Sequence, residues 1–162
     1  MKLKVTLKAL DNKIPIGNRF MVCSLIKNAI ECGDKNLFNE IYFYEDKKNK
    51  KIKDFTFSIY LNNFNVKENY IEIDGDIAIT ISTPNYNLGI AIYNGLIKNK
   101  LFNYKEFKLQ ISNISLLKER KINSNKVKLK TLSPIFIRDI DGKAIDILDE
   151  RYNEKGAVAL NN

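Results

Sequence analysis

Two helices laid on one face of a four-stranded antiparallel sheet, followed by the start of a second such unit, is the α+β architecture this chain predicts. Three observations lead there. Four stretches alternate apolar and polar residues with period two, two others carry apolar stripes with helical period, and their order is strand, helix, strand, strand, helix, strand.

The first strand is read over residues 2–10, where Leu3, Val5, Leu7 and Ala9 alternate with Lys2, Lys4, Thr6 and Lys8. Pro15 and Gly17 are read as a turn, and Asn18 as the cap of a helix running to about Cys32 and ended by Gly33. The apolar stripe of that helix is Met21, Val22, Leu25, Ile26, Ala29 and Ile30. A short amphipathic piece over residues 35–42 and a basic loop containing Lys47, Lys48, Lys50 and Lys51 come next. Phe55, Phe57, Ile59 and Leu61 mark the second strand. Ile71, Ile73, Ile77, Ile79 and Ile81 mark a third, interrupted at Gly75 by a bulge or hairpin tip. Thr83-Pro84 is read as a cap and first-turn proline for a helix to about Asn99, burying Leu88, Ala91, Ile92, Gly95 and Leu96. Phe107, Leu109 and Ile111 begin the fourth strand, whose phase slips near Ser112-Asn113 before Ile114 and Leu116.

That order is the ferredoxin-like β-α-β-β-α-β unit. It sets an N-terminal domain over residues 1–120, with a linker and the first elements of an incomplete second ferredoxin-like domain over 121–162. In the latter, Leu129 to Ile140 reads as a strand, Asp141-Gly142 as a turn and Leu148 to Lys155 as the start of a helix. With so little chain left to complete it, the sequence reads as a fragment or truncated product.

Lys and Arg outnumber Asp and Glu by 27 to 19, a net charge of +8 that favours polyanions, nucleic acid before anionic membrane. The alternative source of such an excess is codon bias toward Lys, Asn and Ile, as in AT-rich genomes. Cys23 and Cys32 lack metal-ligand spacing and the chain has no histidine, so no metal or other cofactor is expected. Neither a P-loop nor a dinucleotide-binding glycine motif is present. The N-terminus alternates at once instead of forming a signal-peptide core, and no apolar run is long enough for a membrane span. A cytoplasmic location follows, with no membrane partner.

The sheet face left open by the helices is expected to carry Lys2, Lys4, Thr6, Lys8, Thr56, Ser58, Tyr60, Lys108 and Gln110. The third strand would add Glu72, Asp74 and Asp76, which argues against a base-stacking RNA-recognition motif. The lysines suit phosphates; the alternative is a plain solvated face.

Four segments carry a resemblance. They are Ser24-Leu25-Ile26-Lys27-Asn28-Ala29-Ile30, Lys53-Asp54-Phe55-Thr56-Phe57-Ser58, Tyr93-Asn94-Gly95-Leu96-Ile97 and Thr131-Leu132-Ser133-Pro134-Ile135. In order and spacing they resemble the CRISPR-associated endoribonucleases, the sixth of the numbered Cas proteins, that cut precursor CRISPR RNA within its repeats. The resemblance runs from Met1 to about Lys155 and implies tandem ferredoxin-like domains holding RNA. It also implies metal-independent cleavage, in which the ribose 2′-hydroxyl attacks the adjacent phosphate and leaves a 2′,3′-cyclic phosphate and a 5′-hydroxyl. Such chemistry needs a general base, a general acid and a cation for the developing phosphorane charge.

Two departures stand out. The glycine-rich loop of these proteins has no counterpart here, and neither does the histidine that many of them place after the first helix. By position Tyr42 stands where that histidine would be, Lys27 matches a tyrosine position and Lys53 a lysine position. The resemblance therefore implies Tyr42 as base or acid, with Lys53 and Lys27 as electrostatic stabilisers that also lower the phenol's pKa. The alternative packs the Tyr42 ring against the helix and leaves both lysines solvated. Lys47, Lys48, Lys50, Lys51, Lys121, Lys126, Lys128, Lys130 and Arg138 are the expected RNA contacts. CRISPR repeat RNA is the expected partner, with other Cas proteins or a second copy of the chain as further ones. Two other functions remain open: a non-catalytic RNA-binding relative, and a structural ferredoxin-like protein that pairs with another chain.

Overall fold

The main sheet is built around β1 (Lys2–Ala9), which lies between β6 (Ile77–Ser82) and β8 (Phe107–Leu116). With β3 (Thr56–Leu61) beyond β6 and β7 (Leu101–Tyr104) beyond β8, the order is β3-β6-β1-β8-β7, every pairing antiparallel. This computed structural model describes residues 1–43, 53–118, 123, 125 and 126, together with the backbone of residues 137–138 and 144–145. Without the added edge strand β7, the order β3-β6-β1-β8 is the ferredoxin-like arrangement. The chain divides into two compact units, Met1–Asn123 and Ser124–Asn162.

Helices α1 (Asn18–Gly33) and α3 (Tyr86–Lys98) supply the opposing layer. All six residues of the α1 stripe are buried, and each fully buried Leu or Ile contributes about 1.5–3 kcal/mol through lost apolar hydration. They meet Leu3, Val5 and Leu7 of β1 and Ile77, Ile79 and Ile81 of β6 in one core. The helices also meet each other closely. A Cβ on Gly33 would lie 1.9 Å from the Ala91 carbonyl oxygen, and one on Gly95 would lie 1.8 Å from that of Ala29. Only glycine permits that approach.

The phase slip in β8 is real. Thr6 pairs with Asn113 but Leu7 with Ile111, so Ser112 is extra, and its hydroxyl donates to the Thr6 carbonyl at 3.1 Å. The bulge lets Phe107, Leu109 and Ile111 face the core on one side of it and Ile114 on the other.

Several local readings need correction. Lys13–Pro15 is not only a turn; it forms β2, paired with β5 (Tyr70–Ile73) in a second sheet ordered β2-β5-β4. Its third member β4 (Phe64–Val66) lies between the expected second and third strands. The expected single strand over residues 71–81 is therefore two strands in two sheets, parted at Gly75, whose φ of +127° an L side chain rarely adopts. Asn18 begins α1 instead of capping it; Gly17 holds the cap position with no side-chain bond. Asn85, not Thr83, caps α3, its side chain accepting from the Leu88 amide at 3.1 Å. Thr83 is buried, accepting from the Asn85 amide and donating to the Asp54 carbonyl. The short amphipathic piece is α2 (Lys35–Tyr42), capped by Asp34, whose carboxylate accepts from the Asn36 and Leu37 amides.

In the second unit, β9 (Ile137–Arg138) and β10 (Ala144–Ile145) pair antiparallel, with Ala144 opposite Arg138. The expected Asp141-Gly142 turn and the expected helix over residues 148–155 lie outside the described residues.

Candidate functional site

Tyr42, Lys27 and Lys53, far apart in the chain, come together where α1, the end of α2 and the segment entering β3 meet. The Lys53 ammonium lies 4.5 Å from the Tyr42 ring centroid and that of Lys27 lies 5.3 Å from it. Two local features hold this arrangement. Phe38, one turn before Tyr42 and buried, stacks on the phenol ring with centroids 4.9 Å apart. The Lys53 ammonium also donates to the Ile41 carbonyl at 2.8 Å, satisfying a C-terminal carbonyl of α2 that the helix itself leaves open.

The electrostatics differ from expectation. Both lysines lie over the ring, where a cation interacts with the π face. The phenol's pKa is raised above its ordinary 10.0, first by burial and then by the negative charge of an ionised Cys23. Tyr42 therefore stays protonated in neutral solution. That suits a proton donor, and it contradicts the expectation that the lysines prepare the phenol to act as a base. Beside the cluster, Leu37, Glu40, Ile41, Lys53, Asp54 and Asn85 line a depression of about 340 Å³.

The second feature is the sheet face opposite the helices. Pairing register sets Thr56, Ser82 and Lys2 in one row, Ser58, Thr80, Lys4 and Ser115 in the next, and Tyr60, Ala78, Thr6 and Asn113 in a third. Lys8 stands opposite Gln110, and Lys108 opposite Asn103. These strand positions carry no carboxylate. Of the acidic residues expected there, Glu72 belongs to β5 in the second sheet and Asp74 to the bend after it, while Asp76 directly precedes β6 at one end of the face. The hydroxyls of Thr80 and Ser82 went unforeseen for the same reason, the Asp74-Gly75-Asp76 break being the signal available in sequence; that of Ser115 is brought opposite Lys4 by the bulge at Ser112.

Of the expected RNA contacts, Lys126 is described and exposed, in the second unit, and Arg138 is described only as backbone of β9. Lys47, Lys48, Lys50, Lys51, Lys121, Lys128 and Lys130 lie outside the described residues. Among the described residues no group of three or more His, Cys, Asp or Glu side chains is placed to hold a metal ion. No described helix is long and apolar enough to cross a membrane.

No protein-family model matches the chain, and no curated protein matches it. Solved structures do. A Cas6-related protein from Pyrococcus furiosus superimposes with a TM-score of 0.72 at 22% identity, over 95% of this chain and 65% of that one. A RAMP protein that binds different RNA substrates gives 0.70 at 23% identity, over 95% and 66%. A CRISPR-associated protein Cas6 gives 0.60 at 23% identity, over 100% and 72%. The chain spans just under two thirds of the length of the first two. Its fold is the ferredoxin-like fold of the Cas6 and RAMP structures, the same group that its sequence resembles.

Proposed function

We propose that this protein binds precursor CRISPR RNA and cleaves it within its repeats by metal-independent attack of a 2′-hydroxyl on the adjacent phosphate. The observation that carries the binding half is the open sheet face, where Lys2, Lys4, Lys8 and Lys108 stand among hydroxyls and amides with no carboxylate at any strand position. Such a surface attracts a phosphate backbone without reading its sequence. The likeness to a RAMP protein that binds RNA supports the same reading.

For cleavage, the support is the meeting of Tyr42, Lys27 and Lys53. Water takes the proton of the attacking 2′-hydroxyl, the two ammonium groups offset charge on the phosphorane, and the protonated phenol delivers a proton to the departing 5′-oxygen. RNA-binding lysines of the basic segments around residues 47–53 and 118–130 would extend the grip. A second reading, an RNA-binding relative that does not cut, draws on the missing histidine and the raised phenol pKa.

A denaturing gel of repeat RNA incubated with the protein in EDTA separates the two. Fragments ending in a 2′,3′-cyclic phosphate are expected; intact RNA together with a positive gel shift would favour the second reading. Absence of any shift would leave a structural protein, and light scattering would then report self-association.

A further inference from the structure

One end of the open sheet face carries a different set of groups from the rest. Beyond the pair Leu61–Ile77 and the pair Leu7–Ile77, the register brings Asn62, Asp76 and Lys8 side by side, one row past Tyr60 and Ala78. With Asn12 and Gly75 they line a cavity of about 440 Å³, a size usual for small-ligand sites. Asn12 is held there by a positive φ of 54° and by its own carbonyl, which accepts from the Ile73 amide at 2.8 Å.

Tyr60 stands two residues before Asn62, one of the residues that line the cavity. It is 68% exposed, and its neighbour across the pairing is the small Ala78. An exposed aromatic ring on a cationic sheet face is a stacking platform for a base of single-stranded nucleic acid. The side chains of Lys8, Asn12, Asn62 and Asp76 make no ion pair or hydrogen bond with one another or with other described residues, so their donors and acceptors are available to a ligand. Asp76 is informative because a carboxylate beside phosphate-binding lysines repels the backbone. It favours RNA by accepting hydrogen bonds, from a base edge or a ribose 2′-hydroxyl, and beside an exposed ring the base edge is the nearer match.

Resting on the RNA-binding reading above, we propose that Tyr60 and this cavity form a guanine-reading subsite for one nucleotide of the bound strand. Tyr60 stacks on the base. Asp76 accepts from the N1–H and N2–H groups of the guanine edge in a bidentate, charge-assisted pair. Lys8 donates to O6, and Asn12 and Asn62 supply the remaining amide partners. Adenine presents an acceptor at N1 and a donor at position 6, the reverse of guanine, so in the same pose neither charged group meets its partner.

The test measures dissociation constants by fluorescence anisotropy for a ten-nucleotide oligoadenylate and for the same strand with one central guanosine or one central inosine. For the unaltered protein the guanosine strand is expected to bind about 5- to 100-fold more tightly than oligoadenylate, with inosine, which lacks the 2-amino group, in between. Asp76→Asn is expected to abolish that preference while keeping or improving oligoadenylate binding. Tyr60→Ala should weaken all three strands by about 5- to 100-fold, and Tyr60→Phe should restore them. Equal affinity for guanosine and adenosine strands, or a preference that survives Asp76→Asn in a folded variant, overturns the subsite and leaves RNA binding standing. If no strand binds the unaltered protein, the RNA-binding reading falls and the subsite falls with it.

Discussion

The Lys53 ammonium sits 4.5 Å from the centroid of the Tyr42 ring while donating to the carbonyl of Ile41, the residue before it. One side chain thus closes the end of α2 and sets the phenol's surroundings. The arrangement couples a fold contact to a proposed chemical one, and the two can be separated by substitution.

Lys53→Ala removes both roles, whereas Lys53→Arg keeps the charge and can still bond the Ile41 carbonyl. Cleavage of repeat RNA is expected to fall about 100-fold in the alanine variant, the usual loss for one charge-stabilising donor, and less in the arginine variant. Single-turnover rates with saturating protein measure the change at the chemical step. Rates equal to those of the unaltered protein would remove Lys53 from the mechanism.

Tyr42 gives a pH prediction with a definite sign. Its pKa in the fold lies above 10.0, so the folded chain keeps a proton that the unfolded chain loses near pH 10. Stability from this group is therefore whole below about pH 10 and is lost as pH rises through the folded value. In an absorbance titration at tyrosinate wavelengths, a phenol that ionises above the ordinary 10.0 should be missing from Tyr42→Phe. Cleavage by a phenol acting as acid should hold up to that pH; a rate climbing toward pH 10 would instead mark Tyr42 as a base.

Helix crossing yields a stability prediction. Gly95→Ala would drive a methyl group to 1.8 Å from the Ala29 carbonyl oxygen, backbone against backbone, with nothing flexible to move aside. A loss of about 1–3 kcal/mol or more is expected in urea denaturation, and Gly33→Ala should behave alike. Gly89→Ala is the control, because the atoms it would meet belong to the Met1 side chain, which can turn away.

Salt dependence tests the sheet face. Replacing Lys4 by Ala should weaken binding of all single-stranded RNAs alike and lower the slope of log affinity against log salt by about 0.7, one phosphate contact. Anisotropy titrations at several salt concentrations read the slope. An unchanged slope would place Lys4 outside the interface.

The residues themselves made much of this architecture legible. The α1 stripe from Met21 to Ile30, the buried face of α3, the alternation of β1 and the slip at Ser112 all follow from local periodicity, and each sits where its pattern places it. The break at Gly75 was less legible, because Ile71 through Ile81 keep one parity on both sides of it. Alternation alone does not reveal that the chain changes sheets there.

By itself, then, the sequence determined which residues are apolar at helical or strand spacing, and hence a ferredoxin-like core with a cationic outer surface. Only the tertiary structure decided which strands are neighbours. Pairing β6 instead of β5 with β3 removes two carboxylates, Glu72 and Asp74, from the open face and leaves Asp76 alone at its edge beside Lys8 and Asn62. It likewise fixed the two lysines over the Tyr42 ring and the burial of its phenol beside Cys23, and that burial and Cys23 reverse the expected direction of its pKa. The physical reason is common to both. Periodicity is a property of a few consecutive residues, whereas desolvation and charge pairing depend on side chains that meet only once distant segments have packed.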